Sequence, residues 1–308
     1  PVIEFRKQCR DFANKWISIQ KKEFQRLGVI GDWDNPYTTM HFHAEAQIVR
    51  ELGKFLKNGG IYKGHRPVLW SVIEKTALAD AEVEYHDHKS TTIYACFPIS
   101  KTDNDKLKEH SIVIWTTTPW TIPGNRALAV HNDIEYKSLN LKINDGNKDI
   151  IIASDLVESF IKENKIEEYK VNFSIKGHEL TNTFCKHTLY DSGYNFEVPI
   201  LHGDFVTTEQ GTGIVHICPV HGMDDFILGK QHDLELPMTI NESGIYYDHI
   251  PVFNGQHIFK VDQNVCDEIK KNNNLISQGI LVHSYPHSWR SKAPLVYKNT
   301  SQWFISMD

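Results

Sequence analysis

Three consecutive threonines, Thr116-Thr117-Thr118, stand between Trp115 and the pair Pro119-Trp120. β-Branched residues following Ser111-Ile112-Val113-Ile114 favour continuation of a strand. Pro119 has no amide to donate and pushes Thr118 toward extended backbone, so the ladder must stop there. The expected product is a row of hydroxyls at a strand end, each able to donate one hydrogen bond and accept two. Such a row suits the grip of an ester, a ribose hydroxyl or a water molecule. A threonine-rich edge strand with a plain turn has the same local sequence, so the flanking residues must decide.

At 308 residues the chain holds one large domain or two modest ones. A formal charge of −6 excludes a basic surface that coats nucleic acid, though not contact with one end of a strand. No apolar run is long enough to span a bilayer, so no membrane association is expected. The ends, Pro1-Val2-Ile3-Glu4-Phe5 and Gln302-Trp303-Phe304-Ile305, read as cut from something longer. Five scattered cysteines without a Cys-x-x-Cys pair fit a reducing compartment, and the cytoplasm is the expected location.

Phe5, Cys9, Phe12, Trp16, Ile19 and Leu27 recur at helical spacing and Gly28 stands at the stop. A second helix is expected after Thr38 or Thr39, ending at Asn58-Gly59-Gly60. From about Ser90 the pattern becomes short strands: Thr91–Phe97, Ile112–Trp115, Ala127–Val130, Tyr136–Leu141, Asp149–Ala153, Val171–Ile175 and Gly213–Ile217. A turn is expected at Asn144-Asp145-Gly146-Asn147. Helices are expected at Ser154–Asn164, Gly222–His232 and Lys260–Asn272, with loop-like chain after about Leu281. Frequent short strands favour a closed or nearly closed barrel. The fold class expected is α+β: a β-barrel-like domain over 89–283, a helical segment over 1–88 and a returning connective segment over 284–308.

The second dense patch is Gly211-Thr212-Gly213-Ile214-Val215-His216, followed by Cys218-Pro219-Val220-His221-Gly222-Met223-Asp224-Asp225. Asp224 and Asp225 fall in the first turn of a helix, where the dipole favours a carboxylate. Asp224 is read as a cap. Asp225, if it points into a pocket, is a natural partner for a substrate ammonium. His216 at the strand end is a candidate for hydrogen bonding or proton transfer near neutral pH. His216, His221, Asp224 and Asp225 also offer a ligand set for zinc. Pro219 between the histidines keeps them off a shared helical face, which argues against that metal site.

Together these patches resemble the editing domain inserted in class I aminoacyl-tRNA synthetases of the isoleucine, valine and leucine group. The likeness extends to Gly31-Asp32-Trp33-Asp34-Asn35-Pro36-Tyr37, Ile61-Tyr62-Lys63-Gly64, Ala77-Leu78-Ala79-Asp80-Ala81-Glu82 and Thr300-Ser301-Gln302-Trp303-Phe304. It therefore covers nearly the whole chain. Valine and leucine members carry Thr-Thr-Arg-Pro where this chain has Thr-Thr-Thr-Pro, so Thr118 points to the isoleucine branch. The nucleotide-binding signatures His-Ile-Gly-His and Lys-Met-Ser-Lys-Ser are absent from these residues, so no amino-acid activation is expected here. Several members hold zinc with two Cys-x-x-Cys pairs. The matching positions here are Ser71, Glu74, Ser288 and Ser291, and no zinc is expected.

The resemblance implies hydrolysis of valine misattached to isoleucine tRNA, and of valyl-adenylate. Asp225 would bind the α-ammonium. Thr116, Thr117 and Thr118 would hold the ester, the terminal adenosine and the attacking water. Trp120 and His216 would shape the amino-acid pocket, and Asn125 matches a position associated with editing. The partners implied are the aminoacylated 3′ end of the tRNA and the rest of a synthetase chain, in a monomer. No cofactor is implied for editing, with ATP used only by the full-length enzyme. The alternatives are a valyl or leucyl editing domain, a non-catalytic barrel that binds the tRNA 3′ end, and a metallohydrolase.

Overall fold

The computed structural model describes residues 1–143 and 146–307; Asn144 and Asp145 of the expected turn lie outside the described residues. The chain divides into two units, residues 1–64 with 302–308 and residues 65–301.

The first unit holds α1 (Val2–Arg26) and α2 (Phe42–Lys57). Both stop as their sequences predict. Gly28 and Gly59 lie just past the last turns at φ of +79° and +74°, a left-handed geometry that glycine adopts without strain. Arg10 joins the two helices through Glu45 at 2.8 Å.

Strands dominate the second unit. In chain order they are β1 (Ile61–Ser71), β2 (Thr76–Ala77), β3 (Val83–Lys101), β4 (Ser111–Thr116), β5 (Ala127–Val130), β6 (Glu135–Ile143) and β7 (Gly146–Ala153). After α3 (Val157–Glu163) come β8 (Tyr169–Lys176), β9 (Phe184–Lys186), β10 (Glu197–His202) and β11 (Val215–Ile217). Then follow α4 (Met223–Gln231), α5 (Asp262–Lys271), β12 (Leu275–Ser288) and β13 (Val296–Ile305). The chain crosses between the two units within β1 and β13.

The large sheet runs β11-β5-β10-β9-β3-β4-β7-β6-β8, with β12 paired to β3 off that path. The α+β class is as expected, but this strand order is open rather than a closed ring. It mixes parallel pairs, β10 with β5 and β4 with β7, among antiparallel ones. The sheet still curls, since its β11 end returns to within 8 Å of β4. Alternation along β3 and β4 explains why both faces are covered. Ile93, Ala95 and Phe97 join Ile112 and Ile114 in one core, while Tyr94, Cys96 and Val113 join Phe160 of α3 in another. Each large side chain so buried contributes about 1.5–3 kcal/mol.

Two sequence expectations are corrected. Residues after Leu281 are not loop-like: β12 pairs with β3 from Leu275↔Ala95 to Ser288↔Val83. Their His, Ser and Pro content mimics a loop, yet β3 supplies the backbone partners. For the same reason the expected divisions at 88/89 and 283/284 fall inside paired strands, where the ladder leaves no linker. The 284–308 segment is accordingly mostly strand.

Ser71, Glu74, Ser288 and Ser291 do meet. The Ser71 hydroxyl donates to Glu74 Oε2, the Ser288 hydroxyl to Oε1 at 2.9 Å and the Ser291 amide to Oε1 at 3.1 Å.

Candidate active site

β4 ends at Thr116, paired opposite Ile93 of β3. The Thr118 amide then donates to Thr116 Oγ1 at 3.1 Å, and the two hydroxyl oxygens stand 3.2 Å apart. A hydroxyl thus takes the amide that a continued ladder would have used. Pro119–Gly124 forms a 3₁₀ turn. The Thr121 amide and hydroxyl both donate to the Thr118 carbonyl, at 2.9 and 2.8 Å.

Thr117, Thr118 and Trp120 line one cleft of about 580 Å³. Its other walls include Thr91 of β3, Asp262 of α5 and Tyr285 of β12. Tyr285 stacks on His88 at 4.9 Å between ring centroids. Burial raises the Asp262 carboxyl to about 6, against the opposing pull of the Thr91 hydroxyl and the Trp120 amide. Its Oδ1 is sealed from solvent and has no hydrogen-bond partner among the described residues. Sequence reasoning missed Asp262 and Tyr285, because nothing local in their segments links them to the threonines.

His216 lies behind this surface. β11 pairs antiparallel with β5, placing His216 opposite Leu128, just past the end of the 3₁₀ turn. Its Nε2 is 2.8 Å from Thr121 Oγ1 and its Nδ1 is 2.9 Å from Asn125 Nδ2. Burial, reinforced by His221, lowers its pKa to about 3. Of the two roles expected for His216, this environment favours hydrogen bonding over proton transfer near neutral pH. Thr121 is a further residue that sequence reasoning missed. Its spacing from Thr118 across Pro119 was the available signal, since a hydroxyl three residues on can bond a turn carbonyl.

Trp120 is nearly buried and meets the His221 ring edge-on at 4.7 Å. His221 Nδ1 faces the Tyr297 carbonyl at 2.8 Å and its Nε2 faces Thr239 Oγ1 at 2.6 Å. With both ring nitrogens of His216 and His221 committed to the protein, neither offers a lone pair to a metal. No metal-binding group of three or more such residues occurs among the described residues.

Asp225 is not among the residues lining the threonine cleft. Its Oδ2 accepts the Cys218 amide at 2.7 Å, and burial raises its carboxyl to about 6. The carboxylate that lines this cleft is Asp262. The first turn of α4 aims Asp225 at the 218–222 turn instead, where an amide leaving β11 lacks a ladder partner. Asp225 still connects to the threonines, since β11 joins Cys218 to His216 and His216 to Thr121.

The description of class I tRNA synthetases for isoleucine, leucine, methionine and valine matches residues 2–308. The chain belongs to that family. This class I synthetase chain is 54% identical over 311 residues to the isoleucine–tRNA ligase of Pelagibacter ubique. It is 45% identical to that of Gluconobacter oxydans and 44% to that of Haemophilus influenzae. Each comparison covers 100% of the synthetase chain but only 33–34% of the relative, so the chain spans about a third of their length. A solved structure described as GlLeuRS-CP1 aligns at a TM-score of 0.47 and 16% identity, covering 61% of this chain and 99% of that one. No helix among the described residues is long and apolar enough to cross a membrane.

Proposed function

We propose that the chain is the proofreading module of an isoleucine–tRNA ligase and hydrolyses valine misattached to the 3′ adenosine of isoleucine tRNA. The observation that carries this reading is the cleft in which Thr117 and Thr118 meet Trp120 and a carboxylate. A hydrophobic pocket separates side chains differing by one methylene by only about 1–3 kcal/mol, isoleucine enzymes being the standard illustration of that limit. A second site that admits valine and excludes isoleucine by overlap discriminates further, because overpacking is penalised steeply.

The chemistry asked of the site is modest. An aminoacyl ester is already activated, so a positioned water and oriented donors suffice without a covalent intermediate. A thiolate route is disfavoured at the buried cysteines, where burial raises Cys96 to about 11 and Cys266 to about 12. Thr116, Thr117 and Thr118 hold the ester, the adenosine and the water in this reading. Trp120 limits the amino-acid side chain. The α-ammonium is assigned to Asp225 Oδ1, with Oδ2 kept on the Cys218 amide, and Asp262, which lines the cleft, is the rival carboxylate.

Deacylation of valyl- and isoleucyl-tRNA carrying the isoleucine anticodon tests the proposal. The valyl ester is expected to be hydrolysed and the isoleucyl ester spared, with chelators having no effect and a Thr117→Ala/Thr118→Ala double variant losing most turnover. Binding of the tRNA 3′ end without turnover would replace hydrolysis by a carrier role. Preference for the threonyl ester would move the module to the valine branch.

A further inference from the structure

We propose that Thr121 is a positioning residue, held by a one-directional hydrogen-bond chain running from Asn125 through His216, and that it fixes the orientation of Thr118 in the cleft.

The direction of the chain follows from which atoms can donate. The Asn125 side-chain nitrogen has two hydrogens and stands 2.9 Å from both the Ala127 carbonyl and His216 Nδ1. A carbonyl only accepts, which fixes the orientation of the amide. His216 Nδ1 must then be the acceptor, and the ring carries its proton on Nε2. That N–H donates to Thr121 Oγ1 at 2.8 Å. Having accepted, the Thr121 hydroxyl sends its own hydrogen to the Thr118 carbonyl at 2.8 Å. Its remaining lone pair faces the Thr118 hydroxyl at 3.4 Å.

The chain requires a neutral ring. A second proton, on Nδ1, would set two donors face to face across 2.9 Å. The titratable groups facing His216 are His221 and His187, held by burial at about 4 and about 3. None of the three gains a proton between pH 5 and 8, so the brace is intact throughout that range. His216 and Asn125 therefore serve the reaction by holding the threonine turn, and Thr121 is the link that touches it.

The kinetic arm of the test rests on the proofreading reading; the spectroscopic arm does not. In protein labelled with 15N-histidine, the signals lost in His216→Gln should show a neutral ring protonated at Nε2, unchanged from pH 5 to 8. Thr121→Val should shift those signals and lower kcat for valyl-tRNA hydrolysis about tenfold, as the loss of one buried hydrogen bond implies, with KM nearly unchanged. Thr121→Ser, which keeps the hydroxyl, should restore both. A ring that titrates within that range, a proton on Nδ1, or wild-type kcat in Thr121→Val would overturn the proposal. A protein without deacylase activity in any form would count against proofreading, while the spectrum would still judge the brace.

Discussion

Asp225 Oδ2 accepts the Cys218 amide at 2.7 Å, tying the first turn of α4 to the residue that leaves β11. This bond uses one carboxylate oxygen and orients the other. Gly222 makes room for it, since a Cβ there would lie 2.6 Å from Asp225 Oδ1.

The raised pKa of Asp225, about 6, sets an expected pH dependence for editing. The carboxyl is charged above that value and neutral below it, so kcat/KM for the valyl ester should fall as pH drops through about 6. Asp225→Asn should lack this limb and run about 10–100-fold slower at pH 7.5, the value of one charge-assisted hydrogen bond. Asp262→Asn should retain it, although its own carboxyl also sits at about 6. A limb that survives in Asp225→Asn and vanishes in Asp262→Asn would assign the ammonium to α5.

Gly213 is expected to be irreplaceable for folding. It sits at φ +68°, and a Cβ there would lie 2.4 Å from the Ala153 Cβ. Left-handed backbone costs a non-glycine residue about 1–2 kcal/mol and the overlap adds about 1–3 kcal/mol. Urea denaturation of Gly213→Ala should show a loss of about 2–5 kcal/mol; a loss below about 1 kcal/mol would refute the packing argument.

Glu74 should act as a pH-dependent clamp. Burial pushes its carboxyl up, but hydrogen bonds from Ser291 and Ser288 outweigh it and hold the pKa below the ordinary 4.5. A lowered folded-state pKa means that stability is present above about 4.5 and lost as pH falls below it. Glu74→Gln should cost about 1 kcal/mol at pH 7 and markedly less at pH 3.5, measured by urea denaturation. Equal costs at the two pH values would show that the charge contributes nothing.

Much of the architecture was legible because it is local. Apolar spacing and a terminal glycine announce α1 and α2, alternation announces the Thr91–Phe97 stretch of β3, and short strand runs between turn residues announce β4 to β8. Pro119 ends β4 within the threonine run. Where sequence reasoning failed, the deciding contact was long-range. Nothing near Ser284-Tyr285-Pro286-His287 says strand until β3 offers it a ladder.

The candidate site divides in the same way. A row of hydroxyls beside Trp120 follows from the order of residues alone, because β-branching and a missing amide are properties of the chain itself. Which carboxylate faces those hydroxyls does not follow, since Asp225 and Asp262 are equally acidic on paper. Only the tertiary structure turned Asp225 to the Cys218 amide, set Asp262 in the cleft wall and buried His216 between Thr121 and Asn125. Burial and hydrogen-bond geometry set those roles, and both depend on segments that meet only after folding.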